Sequence, residues 1–145
     1  MDKKQFIDGA KNIKVKQNRL KNSLLAFLCG GCVGLFGQLL FTFYDMISDF
    51  DKSILTGLVI VTIVFITVVL TAFGVYDNLA QKFGAGLFIP ISGFANSLAS
   101  CAMEGRSEGP IFGIGSNMFK LAGSVLTYGI VAAYIFGGIR WLLGI

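Results

Sequence analysis

The amino-acid sequence predicts an all-α fold: a small polytopic membrane protein with about four membrane segments, the third of them a broken or re-entrant helix. Three observations lead to this class. Hydrophobic residues make up 54% of the 145 residues and charged residues only 14%, whereas soluble domains carry about 25% charged residues. The mean hydropathy is +0.75. Apolar runs near the length that crosses a bilayer follow one another, and the third run is interrupted by glycines and a proline.

The first element, residues 1–23, is predicted to be a basic cytoplasmic segment. Seven of the 12 Lys and Arg residues of the chain lie before Ser23, opposed only by Asp2 and Asp8. Basic residues beside a span favour the cytoplasmic side. A surface helix on anionic membrane lipid and a docking arm for a soluble partner are the alternatives, and no role in binding nucleic acid is expected. The remainder, residues 24–145, is interpreted as a single helical membrane domain.

Residues 24–44 are predicted to form the first span. Gly30, Gly34, Gln38 and Thr42 are spaced by four, which places small and polar groups on one helix face. This face is interpreted either as a helix-packing surface or as part of the lining of a passage. Both interpretations place Gln38 inside the protein.

An acidic loop with three Asp residues separates the first span from the second, residues 54–75, and is expected on the outer side. The second span carries bulky apolar residues around most of its circumference, and Thr62, Thr67 and Thr71 interrupt them. A helix that is apolar all round faces lipid, so a peripheral helix is predicted. The polar residues 74–83 are expected to form a short cytoplasmic connection.

The third segment, residues 84–103, is predicted to be broken. Glycines relax the backbone, and proline fixes φ and lacks an amide donor, so a helix is expected to start afresh at Pro90. From Pro90 to Met103 such a helix is about 21 Å long, which is too short to span alone. Either residues 84–89 complete the crossing, or the segment re-enters. The candidates for the helix break or a gate are Gly84, Gly86, Phe88, Pro90 and Gly93.

Two further polar stripes are candidates for lining a passage. On the third segment the stripe consists of Ser92, Asn96, Ser100 and Glu104, and on the fourth, residues 110–143, it includes Ser116, Lys120 and Ser124. Polar groups within membrane segments normally face protein or a water-filled cavity. Lys120 is interpreted equally as an interface residue and as a cation that selects an anionic solute.

These patterns favour a transport subunit over an enzyme. The chain has no His, no Gly-x-Ser-x-Gly motif, no paired carboxylates and no phosphate-binding loop, so no catalytic residue, cofactor or metal site is predicted. One chain has too few helices to enclose a wide path, and a homo- or hetero-oligomer is therefore expected. The alternative is a non-conducting membrane scaffold that recruits other subunits, in which the polar stripes only bond to neighbouring helices.

Four sequence blocks carry a resemblance to a known family. They are FGVYDNLAQKFGAGLFIPISGFANSLASCAMEGRSEG at residues 73–109, NMFKLAG at 117–123, VAAYIFGGIRW at 131–141, and a GGxxxxxGQ pattern at Gly30, Gly31, Gly37 and Gln38. Together they resemble the stage V sporulation protein AC family of SpoVA membrane proteins over residues 24–143. A sister AE-type family shares the glycine-rich block. Leu87 and Phe88 are bulkier than is usual before the proline, so Phe88 could gate a passage, and Ser92 stands where Thr is usual.

The resemblance implies a function that composition and spacing do not supply. It implies a subunit that moves dipicolinic acid, with calcium, across the inner membrane of the spore (forespore) during sporulation and germination. It also implies mechanosensitive, osmotically gated behaviour. The expected partners are the AE-type membrane subunit and the AD-type soluble subunit.

Overall fold

The computed structural model describes residues 18–144, and within this range the chain is helical and contains no strand. The predicted all-α class is therefore confirmed. A short 3₁₀ turn, Arg106–Glu108, and a π-helical turn, Pro110–Gly115, separate the last two helices. The helices in chain order are α1 Arg19–Ile47, α2 Lys52–Ala72, α3 Val75–Phe83, α4 Ala85–Phe88, α5 Ile91–Gly105 and α6 Ser116–Leu143. Most of the predicted basic segment lies outside the described residues.

Within the described residues, three helical stretches are long and apolar enough to cross a membrane: Arg19–Ile47, Lys52–Ala72 and Pro110–Leu143. At about 1.5 Å per residue, even the shortest of them, the 21-residue α2, covers the hydrocarbon core of about 30 Å. α1 begins before the predicted residue 24 because Arg19, Lys21 and Asn22 continue the helix beyond the apolar run. Long basic side chains can extend from such a helix end into the headgroup layer. A fourth crossing by the third segment stays a prediction.

The third segment is broken as the sequence predicts. Gly84 separates α3 from α4 with a φ of +55°, a conformation that side chains with a Cβ rarely adopt. Pro90 directly precedes α5 with a φ of −62°. The connection expected at residues 74–83 is instead mostly the helix α3, reached from α2 through Gly74, whose φ is +69°.

The position of α2 corrects the sequence-based expectation of a peripheral helix. On α2, Leu55 and Thr71 are fully buried, and Val59 and Thr67 are nearly so. By contrast, no residue in the most apolar stretches of α1 and α6 is buried inside the chain. α2 packs chiefly against α5. The prediction is wrong because bilayer lipid is as apolar as Leu and Ile, so a hydrophobic surface does not distinguish lipid contact from helix contact.

Glycines bring backbones together at two helix contacts. A Cβ added to Gly86 on α4 would collide with the carbonyl oxygen of Ala26 on α1. Gly105, the last residue of α5, and Gly113 in the π-helical turn are in similarly close contact, since a Cβ on either would overlap the other's carbonyl oxygen. The second contact holds the start of α6 against the end of α5.

Candidate functional site

A buried polar network joins α2, α3 and α5. The Asn96 side-chain amide nitrogen donates to Asp77 Oδ1 at 3.0 Å. The orientation of this amide follows from chemistry, because a carboxylate can only accept and the NH₂ group must face it. Asn96 Oδ1 therefore faces Thr71, whose hydroxyl donates to it at 2.7 Å. The same hydroxyl lies 2.8 Å from the Thr67 carbonyl oxygen, so its single proton is shared between two acceptors.

A second polar group lies beside this network, where α3 meets α4 and α5. The Tyr76 hydroxyl donates to the Leu87 carbonyl oxygen at 2.9 Å, which ties the start of α3 to α4. Burial raises the pKa of Tyr76, and a weak interaction with the nearby Ser92 hydroxyl, which does not reach hydrogen-bond geometry, lowers it by less. The phenol therefore stays protonated and donates at physiological pH. Ser92 is 4% exposed, and its Oγ lacks a hydrogen bond of acceptable geometry within residues 18–144.

A cleft between α5 and α6 unites three of the predicted lining residues. Glu104, Lys120 and Ser124 line a space of about 390 Å³, together with Cys101, Asn117 and Leu121. The two helices form an antiparallel hairpin through the Gly105–Gly113 contact, and this brings Glu104 and Lys120 to one cleft although they are 16 positions apart. In the described part of the chain they share the cleft without forming an ion pair. The cleft thus presents both signs of charge beside hydroxyl and amide groups.

The predicted lining residues fall into two groups rather than one continuous stripe. Ser92 and Asn96 are buried within the chain, Ser100 is half-buried and Glu104 is exposed. Ser116 and Gln38 are also exposed, and the Gln38 carbonyl accepts a bond from Thr42 on its own helix. The structure therefore brings together Glu104, Lys120 and Ser124, and separates them from the buried pair. The role of all of them in lining a passage stays a prediction.

The predicted break and gate residues occupy distinct positions. Gly86 and Gly93 are buried and packed against backbone, Gly86 against α1 and Gly93 against the Phe88 carbonyl group. Gly84 and Pro90 lie at the two breaks. The Phe88 side chain is 53% exposed and faces outward from the chain, so a gating role for it requires a neighbouring subunit.

Thr71, Tyr76 and Asp77 are site residues that were not predicted from the sequence. The available signal was the spacing of Thr67 and Thr71, which repeats by four as Ser92 and Asn96 do, and so marks a polar face on α2. An acidic residue directly after an apolar span was a second signal. Among the described residues no group of three or more His, Cys, Asp or Glu side chains could hold a metal ion.

Comparison with known proteins places these features in a family. The family model described as SpoVAC/SpoVAEB sporulation membrane protein matches residues 22–139. The chain is 42% identical to the stage V sporulation protein AC of Bacillus subtilis (strain 168) over 139 residues, covering 96% of this chain and 93% of that protein. No solved structure matches it significantly. The chain belongs to the SpoVAC/SpoVAEB family of sporulation membrane proteins.

Proposed function

We propose that this integral membrane protein is a transport subunit that moves dipicolinic acid, with calcium, across the inner membrane of the spore. Transport would serve uptake during sporulation and release during germination, with membrane tension controlling opening. The N-terminus would lie on the cytoplasmic side. AE-type membrane and AD-type soluble SpoVA proteins would be the partners. The observation that carries the proposal is the cleft between α5 and α6.

The chemistry of the cleft suits a small solute with carboxylates and a bound cation. Lys120 offers a positive charge, Glu104 a negative charge, and Ser124 and Asn117 offer hydrogen bonds, all within one space. A charge beside apolar helices interacts with a solute more strongly than in bulk water, because the effective dielectric constant is lower. A dianion could thus contact Lys120 while a cation contacts Glu104.

One chain supplies only part of a transport path. The cleft is a groove open along one side, and the half of α6 beyond Gly123 is exposed over its whole surface. A path closed on all sides therefore needs further helices from other subunits. The same outer surface of α6 is available to receive them, which supports an oligomer as the transporting species.

The Lys120→Gln variant is expected to reduce dipicolinate flux about tenfold, the effect of losing roughly 1.4 kcal/mol of electrostatic stabilisation from the rate-limiting step. The measurement is dipicolinate release from liposomes that contain the purified chain with its AE-type partner. The matched control is Lys52→Gln, which removes the same charge at the start of α2 and should leave flux unchanged. Equal flux through Lys120→Gln and the unmodified protein would show that Lys120 is an interface residue.

The second candidate function is a membrane scaffold, and the buried network favours it. The Asn96 side chain forms its hydrogen bonds with Thr71 and Asp77 on neighbouring helices. The scaffold hypothesis expects such bonds between helices from the residues of a polar stripe. Ser92 is likewise buried within the chain. A transport role for this stripe requires α5 to move away from α2 when the path opens.

Thiol labelling separates these two functions. Single cysteines would be placed at Ser92 and Ser100 in a background without the native Cys29, Cys32 and Cys101, leaving Asn96 intact to preserve the network. For a transport subunit, both cysteines should react with a membrane-impermeant reagent only under conditions that open the path. Cysteines at Phe94 and Leu98, on the opposite face of α5, serve as controls and should stay protected. Protection of every position under all conditions would favour the scaffold.

A further inference from the structure

An apolar cavity of about 230 Å³ lies between α1 and α2 and is closed at one end by α3, α4 and α5. Its walls are mainly Val33 and Phe36 from α1, Ile63, Ile66 and Leu70 from α2, and Leu79 from α3. Almost all of the exposed wall area is apolar. Phe36 and Ile66 are partly exposed on the outer surface of the chain, so the cavity opens between two helices that are long enough to cross the membrane.

The Ser92 hydroxyl in the wall of this cavity is buried and forms no hydrogen bond of acceptable geometry within residues 18–144. Ser92 lines the cavity and is 4% exposed, and its Oγ has no hydrogen-bond partner within residues 18–144. Tyr76, the other hydroxyl nearby, already donates to the Leu87 carbonyl oxygen. A buried donor without an acceptor is costly. The Ser92 Oγ is enclosed in the cavity, and rotation of this short side chain about χ1 would turn its hydroxyl towards a bound molecule.

The cavity wall changes from apolar to polar along the direction from the membrane centre to its surface. Ile63 lies near the middle of α2 and Leu70 near its end at Ala72, so the apolar wall extends along about 10 Å of the helix. Tyr76 follows just after that end, and Ser92 neighbours it. The cavity is therefore apolar towards the centre of the membrane and offers its free donor towards the surface. A phospholipid has the same order, with hydrocarbon chains at the centre and ester carbonyl groups nearer the surface.

We propose that this cavity binds one acyl chain of a bilayer phospholipid, with an ester carbonyl oxygen accepting the hydrogen bond of Ser92. The size suits a segment of one chain, since an apolar cavity of about 150 Å³ already accommodates the six carbons of benzene, and the rest of the chain would extend through the opening into the bilayer. The opening between α1 and α2 gives lipid a direct route of entry. The lipid chain would then be held at the junction of α2, α3, α4 and α5, next to the Thr71–Asn96–Asp77 network.

The first test fills the cavity. The full chain in detergent is titrated with a phosphatidylcholine, whose neutral headgroup avoids binding to the basic N-terminus, and bound lipid is counted by native mass spectrometry. One tightly bound lipid per chain is expected. Ile66→Trp should abolish it, whereas Ile60→Trp should retain it, because Ile60 is on the same helix and similarly exposed but does not line the cavity. Equal lipid binding by both variants, or binding of free oleate without phospholipid, would overturn the proposal.

The second test uses Ser92→Ala, which removes a hydroxyl that has no hydrogen-bond partner within residues 18–144. Losing one ordinary hydrogen bond to the lipid should weaken lipid binding about fivefold. Without lipid the same variant should melt at an equal or higher temperature than the unmodified protein, because an unsatisfied buried donor has been removed. A loss of stability of the same size with and without lipid would mean that Ser92 bonds within the chain, and the proposal would fail.

Discussion

Replacing Gly113 by alanine is expected to lower the melting temperature of the purified protein sharply and to reduce the amount of folded protein in the membrane. The added methyl group would overlap the carbonyl oxygen of Gly105, and Gly105 is itself too close to the Gly113 backbone to move aside. The methyl group would meet the carbonyl oxygen and the carbonyl carbon of Gly105, which are backbone atoms, so no side-chain rotation can relieve the collision. Overpacking typically costs about 1–3 kcal/mol, and a contact between two backbones lies at or above the upper end of that range.

The matched control for this prediction is Gly123→Ala. A Cβ on Gly123, within α6, would meet nothing within 4 Å, and alanine is about 1 kcal/mol more favourable than glycine inside a helix. Stability should therefore be unchanged or increased. A similar loss in both variants would show that alanine is harmful anywhere in this part of the chain, and the special role of the Gly105–Gly113 contact would be rejected.

The consequence for function follows from the same geometry. Asn117 lies about one turn and Lys120 about two turns of helix after Gly113, and both line the cleft that Glu104 also lines. Forcing the helices apart widens that cleft and moves Lys120 away from Glu104. Any Gly113→Ala protein that still folds should consequently show altered dipicolinate flux, whereas Gly123→Ala should not.

The sequence was sufficient to predict the helical class, the break at Gly84 and Pro90, and the approximate position of each long helix. These features depend on local properties: apolar length, the missing amide of proline and the backbone freedom of glycine. The helix ends were less accurate because polar residues such as Lys21 and Asn22 continue a helix beyond the apolar run. The helical state of α3 was missed because its residues are polar and a short polar stretch resembles a loop.

The site was only half predictable because its residues meet through tertiary contacts. The spacing by four marked Ser92 and Asn96 as one helix face, and both indeed lie on a common buried side of α5. The partner Thr71 was not predicted, because the apolar α2 was assigned to lipid although Thr67 and Thr71 are spaced by four. Glu104 and Lys120 share a cleft because α5 and α6 form a tight hairpin. The Gly105–Gly113 contact that forms this hairpin has no sequence motif by which it could be predicted, apart from the two glycines.

The remaining large effect is expected at the buried network, where Asn96→Leu removes both side-chain hydrogen bonds that join α5 to α2 and α3. The Asp77 carboxylate loses the donor that bonds it to α5, and the Thr71 hydroxyl keeps only the Thr67 carbonyl. A buried group left without its partner costs about 1–3 kcal/mol, although hydrogen bonds between membrane helices average nearer 0.6 kcal/mol. A loss of about 1–3 kcal/mol in unfolding free energy is therefore expected, measured by denaturation in mixed micelles.

A double-mutant cycle with Thr71→Val shows whether this loss belongs to the network. Thr71→Val alone should cost less than Asn96→Leu, because it disrupts one of the two bonds. The double variant should cost less than the sum of the two, since the Thr71–Asn96 bond is counted twice in that sum. Thr127→Val is the control and should be additive with Asn96→Leu, because within residues 18–144 the Thr127 hydroxyl bonds only the Gly123 carbonyl on its own helix. Additivity for both threonines would mean that the 2.7 Å contact contributes nothing, and α5 would then be held against α2 by packing alone.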